Sequence, residues 1–282
     1  MGFEIKDGAV ILAAKGGMDP AVTFDCGQCF RWREEADRPG VFTGFIGRDP
    51  CEVEMEEDLI HRRPLCADTD MRMLGKASEE YFDCRTDYPA LKERFGADPV
   101  MKEAVEFAPG IRVLNQPFFE TLVSFIISQN NNIPRIRKII EALCETYGEK
   151  RGDMYAFPTP ERLASASRDD LFALRMGFRA RYVRDAVEKV LSGEVRQEDM
   201  GDMTTPEASK YLEKISGVGP KVAGCVLLFS CGRHESFPRD VWINRRIRLL
   251  FGGDLPGCIE GEEGIAQQYI FQYARFNLEK GQ

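Results

Sequence analysis

The sequence has few of the residues and segments that mark several common classes of protein. Two histidines and two tryptophans occur among its 282 residues. It contains no run of about eighteen apolar residues, the length that a membrane-spanning helix needs. The N-terminal stretch MGFEIKDGAVILAAKGG has a short apolar run flanked by charge, which is not a secretory pattern. We therefore expect a cytoplasmic protein without a membrane partner.

Paired cysteines are also scarce, although the chain contains nine cysteines. Cys26 and Cys29 have the C-x2-C spacing of many metal ligands, but no second pair follows and histidines are few. An isolated pair does not predict a zinc or iron–sulfur site, and reduced thiols are expected in a cytosolic protein. No metal and no cofactor are predicted.

An excess of positive charge is missing too, because the formal net charge is −8 at pH 7. This balance does not exclude a nucleic-acid partner, since binding depends on local patches rather than on the average. Basic residues concentrate in three segments, and acidic residues cluster elsewhere, as in EVEMEED and EGEEG. Ordinary solvated helix faces explain the basic segments equally well. The segments hold Arg135, Arg137 and Lys138; Arg175, Arg179, Arg181 and Arg184; and Arg239, Arg245, Arg246 and Arg248.

The chain divides into a strand-rich part and a helical part. Up to about residue 65, short stretches separated by Gly, Pro or Asp have the composition of strands, and an antiparallel sheet fits them best. The stretches are GAVILAA, AVTFDCG, CFRWRE, GVFTGFIG and CEVEMEE. From about residue 69 the pattern becomes helical. We predict an α+β protein, with an N-terminal antiparallel sheet domain with flanking helices over residues 1–110 and a mostly helical domain over residues 111–282.

Several helix starts are marked by their capping residues. Thr159 is predicted to cap one helix and Thr205 another, each with a proline at the first helical position. Ser167 and Asp170 have the spacing of a capping box. A further helix carries an apolar stripe, which is expected to lie in the core rather than in a site. The stripe is Phe118, Leu122, Phe125 and Ile126.

The segment YLEKISGVGPKVAGCVLLF predicts two helices joined by a tight hairpin. Gly217 and Gly219 are expected to adopt backbone conformations closed to other residues and to let another backbone come close. Pro220 suits the first position of the second helix, whose free N–H groups and positive dipole end attract a phosphate. This hairpin is therefore typical of a contact to the DNA backbone.

Lys221 and Asp240 form the candidate catalytic pair. Lys221 follows the hairpin at the start of a helix, and an amine acts as a nucleophile only after it has lost its proton. A helix N-terminus and a desolvating pocket both disfavour the charged form. Asp240, in the stretch PRDVW, could stabilise positive charge on a sugar ring as a glycosidic bond breaks. A phosphate-binding surface lysine and a simple ion pair are the alternatives.

The hairpin LEKISGVGPKVAGC and the stretch FPRDVW resemble the helix-hairpin-helix, Gly/Pro-Asp superfamily of DNA glycosylases. The lysine marks the bifunctional branch, which removes the base and then nicks the strand. Four more stretches are similar to the 8-oxoguanine DNA glycosylase family in its bacterial or archaeal form. They are GQCFRWRE, SFIISQNNNIPRIRKII, GFRARYV and GIAQQYIFQYAR, so the resemblance runs from residue 27 to residue 275.

The resemblance implies a bifunctional glycosylase and lyase that excises 8-oxoguanine opposite cytosine in base excision repair. The damaged nucleotide is flipped out of the duplex, because its reacting carbon is unreachable in the stack. By similarity, Lys221 attacks C1′ and forms a Schiff base, and elimination then breaks the strand on the 3′ side. Asp240 would stabilise the oxocarbenium-like transition state.

A base pocket is implied by the same resemblance. The carbonyl of Gly27 would accept a hydrogen bond from N7 of 8-oxoguanine, which carries a hydrogen, whereas N7 of guanine is itself an acceptor. Cys225 and Phe271 would pack against the two faces of the base, and Gln267 would bind its Watson–Crick edge. Pro238 is assigned to the same pocket.

Contacts to the opposite strand are also implied. Asn130 would enter the gap left by the flipped base, and Arg135 and Arg179 would contact the orphaned cytosine. Phe178 would wedge into the stack, as apolar side chains do in bent DNA. Tyrosine is common in the family at this position, so the wedge is kept and the hydroxyl is lost.

Contacts to the DNA backbone are assigned to Gly217, Gly219 and Trp242. Trp242 is a departure from the family, because eukaryotic members have a phosphate-binding histidine there. Arg239 is another, since an apolar residue commonly precedes the aspartate.

Two other functions stay open at this stage. One is a related glycosylase with a different base specificity, although a C-terminal four-cysteine cluster is missing and only Cys258 lies there. The other is a non-catalytic DNA-binding module, against which the presence of both Lys221 and Asp240 argues. The expected partner is double-stranded DNA that contains 8-oxoguanine opposite C, and the protein is expected to be a monomer.

Overall fold

An antiparallel sheet of six strands occupies the N-terminal part of the chain, and the computed structural model describes residues 2–278. The strands are β1 (Phe3–Lys6), β2 (Ala9–Ala13), β3 (Arg33–Glu35), β4 (Arg38–Ile46), β5 (Asp49–Glu56) and β6 (Leu59–Pro64). Their order across the sheet is β1-β2-β6-β5-β4-β3, and every neighbouring pair is antiparallel. The predicted antiparallel sheet is therefore confirmed.

The prediction was wrong for one stretch and incomplete for others. AVTFDCG lies mostly in a helix, α1 (Pro20–Asp25), because Asp19 accepts a hydrogen bond from the Val22 N–H at 3.2 Å and Pro20 occupies the first position. Of CFRWRE, β3 takes up the last two residues alone. The strands β1 and β6 were not among the predicted stretches.

Helix α2 (Met71–Tyr81) packs across the sheet and closes a first hydrophobic core. Trp32 lies at its centre, stacked on Phe24 with ring centroids 4.4 Å apart. The indole N–H of Trp32 donates to the Tyr81 hydroxyl at 2.8 Å. A buried indole with its donor satisfied holds the end of α1 against the sheet, which positions the loop that follows α1.

Eleven further helices build the rest of the described chain. They are α3 (Tyr88–Phe95), α4 (Pro99–Phe107), α5 (Phe118–Ser128), α6 (Ile133–Tyr147), α7 (Pro160–Leu163), α8 (Arg168–Leu171), α9 (Arg179–Leu191), α10 (Thr205–Leu212), α11 (Pro220–Ser230), α12 (Val241–Phe251) and α13 (Glu263–Asn277). A two-stranded ribbon, β7 (Lys150–Arg151) and β8 (Met154–Tyr155), follows α6. The predicted α+β class is confirmed.

The helix starts agree with their capping residues at two of three places. Thr159 caps α7, and Ser167 and Asp170 form the predicted capping box of α8. The prediction for α10 was one residue late. Thr204 is the cap, because it completes a capping box with Glu207 three residues into the helix.

The second hydrophobic core lies among the helices. Phe125 of α5 stacks on Phe229 of α11, with centroids 5.4 Å apart and planes 15° apart. Helices α3 and α4 also bury side chains there, among them Phe95 and Met101. Phe95 packs against Tyr269 of α13, with ring centroids 6.3 Å apart. The division of the chain at residue 110 stays a prediction.

Candidate active site

The hairpin between α10 and α11 sets the position of Lys221. Pro220 takes the first position of α11, and the cap residue Gly219 has no side chain to satisfy the first N–H groups of that helix. Lys221 therefore projects from the first turn beside unsatisfied backbone donors. Its Nζ lies 5.8 Å from the centre of the Phe125 ring. Among the described residues, the Lys221 ammonium has no hydrogen-bond or ion-pair partner.

The two hairpin glycines differ in their backbone conformation. Gly217 has a φ of +78°, and a Cβ on it would lie 2.4 Å from the Tyr182 ring, so glycine is required there. Gly219 has a φ of −109°, which any residue adopts, and no heavy atom lies within 4 Å of its virtual Cβ. The prediction of a special backbone conformation was therefore wrong for Gly219. Because Gly219 has no side chain, the space at the start of α11 stays open.

Asp240 occupies the cap position of α12. Its Oδ1 accepts a hydrogen bond from the Ile243 N–H at 2.8 Å, while its Oδ2 has no hydrogen-bond partner among the residues described. One oxygen thus holds the carboxylate in place, and the other is available to a charge that arrives from outside.

A single cavity of about 210 Å³ brings the candidate residues together. Both members of the predicted catalytic pair and all five residues of the predicted base pocket line it. These seven are Gly27, Lys221, Cys225, Pro238, Asp240, Gln267 and Phe271. Residues from α5, α11, α12, α13 and the loop after α1 meet here, so the cavity joins segments that are far apart in the chain.

Gly27 lines this cavity. Its φ of +84° lies in the region that favours glycine. No hydrogen bond among residues 2–278 uses its carbonyl oxygen. The neighbouring Gln28 fixes the loop, because its buried amide donates to the Thr23 and Arg112 carbonyls at 2.9 and 2.8 Å. Its side-chain oxygen accepts from the Leu114 N–H at 2.8 Å.

Cys225 forms an uncharged part of the cavity wall one turn after Lys221. Burial raises the pKa of its thiol to about 11, more than the nearby Lys221 charge lowers it, and Asp240 raises it further. The thiol therefore stays protonated near neutral pH. It can pack against an aromatic base but has little thiolate to act as a nucleophile.

Gln267 and Phe271 form the side of the cavity that belongs to α13. The Gln267 amide nitrogen donates to the Pro238 carbonyl, which ties α13 to the stretch before Asp240. Phe271 packs against Trp242, with ring centroids 5.1 Å apart. Trp242, predicted to contact the DNA backbone, thus also supports the predicted stacking residue.

The four residues assigned to the opposite strand lie outside the cavity, in a cluster of their own. Asn130 is exposed with a φ of +48°, and its carbonyl accepts from Arg179 Nη2 at 2.9 Å. The Arg179 guanidinium also donates to the carbonyls of Gln129 and Met176, so it is buried and four of its five N–H groups are used, which leaves one on Nη1. Phe178 is 46% exposed beside it.

Arg135 belongs to the same cluster and is exposed. Its guanidinium approaches the Arg175 carbonyl at 3.4 Å, across a groove that Lys138 also lines. Among the described residues, Arg135 therefore has more unpaired N–H donors than Arg179.

Several residues of the cavity were missed by the sequence-based reasoning. Phe125, predicted as core, is both core and cavity wall. Asn131 lines the cavity, next to the predicted Asn130, and so does Gln268, next to the predicted Gln267. The family motifs do not mark Asn131 or Gln268, because which neighbour of a motif residue reaches the cavity depends on how segments far apart in the chain pack together.

Neither a metal-ligand cluster nor a membrane-spanning helix occurs among residues 2–278. No three His, Cys, Asp or Glu side chains come together as a metal ion would require. No helix is both long enough and apolar enough to cross a bilayer. The expected cytoplasmic location stays a prediction.

Comparisons with known proteins agree with this geometry. The family model for the N-terminal domain of 8-oxoguanine DNA glycosylase matches residues 10–122. The model for HhH-GPD superfamily base excision DNA repair proteins matches residues 123–256.

Solved structures cover almost the whole chain. MBOgg1 in complex with a low-affinity DNA ligand is 40% identical over 97% of each chain, with a TM-score of 0.88. The Clostridium acetobutylicum 8-oxoguanine glycosylase/lyase, bound to double-stranded DNA with cytosine opposite 8-oxoguanine, is 34% identical over 97% of each chain, with a TM-score of 0.87. The N-glycosylase/DNA lyase OGG1 of Arabidopsis thaliana is 28% identical over an alignment of 272 positions, which covers 90% of this chain and 73% of the plant protein. The chain belongs to the 8-oxoguanine DNA glycosylase family, a family of helix-hairpin-helix DNA glycosylases with lyase activity.

Proposed function

We propose that this protein flips 8-oxoguanine out of duplex DNA where it lies opposite cytosine, excises it, and then cuts the damaged strand. One observation carries the proposal. Lys221, Asp240 and Gly27 line one cavity, and within residues 2–278 the Lys221 amine, one Asp240 oxygen and the Gly27 carbonyl have no hydrogen-bond partner. A nucleophile, a stabiliser of positive charge and a reader of the lesion thus face the same space.

Lys221 is the proposed nucleophile. No carboxylate within ion-pair distance holds its proton, since it has no salt bridge among the residues described. The Phe125 ring excludes water on one side, and the start of α11 adds positive potential on the other. Attack on a sugar carbon requires the uncharged amine, so the ammonium gives up its proton before this step. The neutral amine then attacks C1′ of the flipped nucleotide.

Asp240 stabilises the positive charge that develops on the sugar as the bond to the base weakens. Its Oδ2 has no hydrogen-bond partner within residues 2–278, and its orientation is set by the hydrogen bond that the Ile243 N–H donates to Oδ1. A charge that is already in position needs no reorganisation in the transition state. The C1′–N9 bond breaks and the base leaves.

The lyase step follows from the covalent bond to Lys221. The sugar ring opens to give a Schiff base between C1′ and Nζ. Loss of a C2′ proton then expels the 3′ phosphate, and hydrolysis of the Schiff base releases the amine. These steps need no oxidant or reductant, because every bond that forms or breaks uses electron pairs of the nucleotide and the amine.

Lesion recognition begins at Gly27. Its carbonyl accepts a hydrogen bond from the N7–H of 8-oxoguanine, whereas N7 of guanine would meet it with a second lone pair. Leaving one buried polar pair unmatched costs about 1–3 kcal/mol, which corresponds to roughly 5- to 150-fold. Phe271 and Cys225 hold the two faces of the base, and Gln267 binds its Watson–Crick edge.

Residues outside the cavity bind the rest of the DNA duplex. Phosphates approach the start of α11 at Gly217 and Gly219, and Trp242 makes a further contact to the DNA backbone. Asn130 and Phe178 fill and wedge the gap that the flipped base leaves, while Arg135 and Arg179 bind the orphaned cytosine.

Borohydride trapping tests the proposal. The protein is incubated with duplex DNA that carries 8-oxoguanine opposite C, and borohydride is added to reduce a Schiff base to a stable adduct. We expect an adduct with the wild type and none with Lys221→Gln. Lys214→Gln is the matched control, because Lys214 is an exposed lysine of the same hairpin that does not line the cavity.

The possible results separate the alternatives. Excision without an adduct would indicate a monofunctional glycosylase, and binding without excision a DNA-binding module. An adduct with Lys221→Gln would contradict the assignment of the nucleophile.

A further inference from the structure

Asp25, at the end of α1, is held by two arginines from different helices. Its Oδ1 accepts a hydrogen bond from Arg137 Nη2 of α6 at 3.0 Å, and its Oδ2 accepts one from Arg275 Nη2 of α13 at 3.2 Å. Arg275 Nη1 also donates to the Asp25 backbone carbonyl at 2.8 Å, and Arg137 Nη2 donates to the Phe24 carbonyl at 3.3 Å. These three charged residues, here called the Asp25 cluster, therefore join the end of α1 to both helices.

The same two helices flank Gly27 one turn away from these ion pairs. A Cβ built on Gly27 would lie 3.8 Å from Ile133 Cδ1 and 4.0 Å from Phe271 Cε1, so both side chains face its backbone. Residues four apart lie on one side of an α-helix. Arg137 thus follows Ile133 on α6, and Arg275 follows Phe271 on α13. Each helix therefore meets this loop twice, once at the cavity wall and once through an arginine.

Stability is not the main consequence of the Asp25 cluster. The side chain of Asp25 is 45% exposed, and those of Arg137 and Arg275 are 31% and 33% exposed. Ion pairs at such exposure contribute little to the free energy of unfolding, because water screens them. All three residues lie outside the set that lines the cavity of Lys221. Their contacts instead set where the loop that carries Gly27 lies between α6 and α13.

We propose that the Asp25 cluster positions the Gly27 carbonyl relative to the stacking ring of Phe271. This inference rests on the proposed function. The carbonyl has to meet the N7–H in the plane of the flipped base, while Phe271 covers one face of that base. A hydrogen bond weakens steeply as its angle departs from the optimum. A shift of the loop against α13 therefore weakens the contact that distinguishes the lesion from guanine, although the three residues do not touch the base themselves.

Arg275→Met tests the inference, because it removes both hydrogen bonds that α13 makes to Asp25. Asp25→Asn is the milder variant, since it keeps the shape of the side chain and the arginine bonds to the backbone but removes the charge. Arg151→Met is the matched control. Arg151 of β7 also pairs with carboxylates of other segments, Asp49 at 3.4 Å and Asp68 at 2.7 Å, and it does not line the cavity.

Each protein is measured on three duplexes under single-turnover conditions. The first carries 8-oxoguanine opposite C. The second carries an analogue in which a CH2 group replaces the N7–H, so that the Gly27 carbonyl meets no donor. The third carries a preformed abasic site, where no base enters the cavity. The rate on the first divided by the rate on the second is the N7 penalty. Its change between proteins reports the Gly27 contact, because the change in the base is the same for each.

We expect an N7 penalty of roughly 5- to 150-fold for the wild type and for Arg151→Met, the effect of one buried polar group left unpaired. Arg275→Met should excise 8-oxoguanine about 3- to 5-fold more slowly, and its N7 penalty should be smaller by about the same factor, because the contact is already weakened. Asp25→Asn should change both values in the same direction, by less. Cleavage of the abasic site should be the same in all four proteins.

Equal N7 penalties in the wild type and Arg275→Met, or normal excision by Arg275→Met, would overturn the inference. An equal slowing on the abasic site would also overturn it, because the effect would then lie in DNA binding or in the fold. Should Arg275→Met fail to fold in a thermal unfolding measurement, the N7 penalty of Asp25→Asn decides in the same way. Failure of the wild type to excise 8-oxoguanine would instead refute the proposed function, whatever the variants do.

Discussion

The indole ring of Trp242 packs against the ring of Phe271, with centroids 5.1 Å apart and planes 57° apart. The guanidinium of Arg246 lies over the same indole at 5.1 Å. Phe271, on α13, thus lines the cavity and is supported by Trp242, on α12. A stacking residue that is held in this way does not need to be ordered when the base arrives, which favours binding.

We expect Trp242→Ala to slow the excision of 8-oxoguanine about 3- to 10-fold, because an aromatic pair contributes about 0.5–1.5 kcal/mol. Trp242→Phe keeps a ring and should retain most of the activity. Cleavage of an abasic site should change little, since it needs no stacking on the base. Equal losses in both reactions would show that Trp242 acts through the DNA backbone instead.

Asp240 has two roles that one pair of variants separates. Asn caps a helix as well as Asp does, so Asp240→Asn should keep the melting temperature and lower the excision rate about 100- to 1,000-fold. Asp240→Ala should lose the rate and, in addition, about 1 kcal/mol of the free energy of unfolding. Thermal unfolding and single-turnover excision measure the two effects. Near-normal excision by Asp240→Asn would rule out the electrostatic role.

Arg135 and Arg179 should differ in their effect on stability. We expect both alanine variants to weaken the preference for C over A, G and T opposite the lesion. Arg135→Ala should leave the melting temperature unchanged, because its side chain is exposed. Arg179→Ala should also lower the free energy of unfolding by about 1.5–3 kcal/mol, since its buried guanidinium donates to three backbone carbonyls.

Excision from duplexes with each of the four opposite bases, together with urea unfolding, makes this comparison. An unchanged preference in both variants would remove the two arginines from the recognition of the orphaned base.

The hairpin glycines provide a matched pair. Gly217→Ala should destabilise the protein, because its φ of +78° is strained for alanine and the new Cβ would lie 2.4 Å from the Tyr182 ring. Gly219→Ala should cost no more than about 1 kcal/mol, the difference between the two residues at a helix cap. It should nevertheless weaken binding to undamaged duplex DNA, since the Cβ would occupy the space open to a phosphate. Unchanged affinity in Gly219→Ala would place the phosphate elsewhere.

His234 should make stability depend on pH. Burial alone lowers its pKa, but the hydrogen bond to Glu262 and the charge of Asp83 raise the pKa above the ordinary value. The stabilisation is fully present below the unfolded pKa of about 6.5, and it is lost as the pH rises through the raised folded pKa. Burial also raises the pKa of Asp83, which acts in the same direction.

Urea unfolding of the wild type and of His234→Gln at about pH 6 and about pH 9 measures this effect. The difference in the free energy of unfolding should be larger at the lower pH. A difference that does not change with pH, or that grows as the pH rises, would contradict the assigned direction. The excision rate at both pH values shows whether activity also depends on the contacts of His234, which lies in the loop before Asp240.

Local chemistry made much of this protein predictable from its residues. Thr159 and Ser167 cap their helices because each side-chain oxygen accepts a hydrogen bond from the free N–H three residues later. The hairpin before Lys221 is likewise encoded by Gly217 and Pro220. The cavity was predictable through family motifs, whose seven residues it does contain. Unaided periodicity assigned the helix of Phe125 to the core and gave no sign of the cavity.

Tertiary packing decided the features that depend on which way a side chain faces. Gln267 and Gln268 are neighbours of one type, yet one is tied to Pro238 and the other is unpaired. Asp19 and Pro20 turned a strand-like stretch into α1, and Trp32 held that helix against the sheet. These features depend on many weak contacts between segments that are far apart in the chain. A short stretch of sequence does not include the residues on both sides of those contacts.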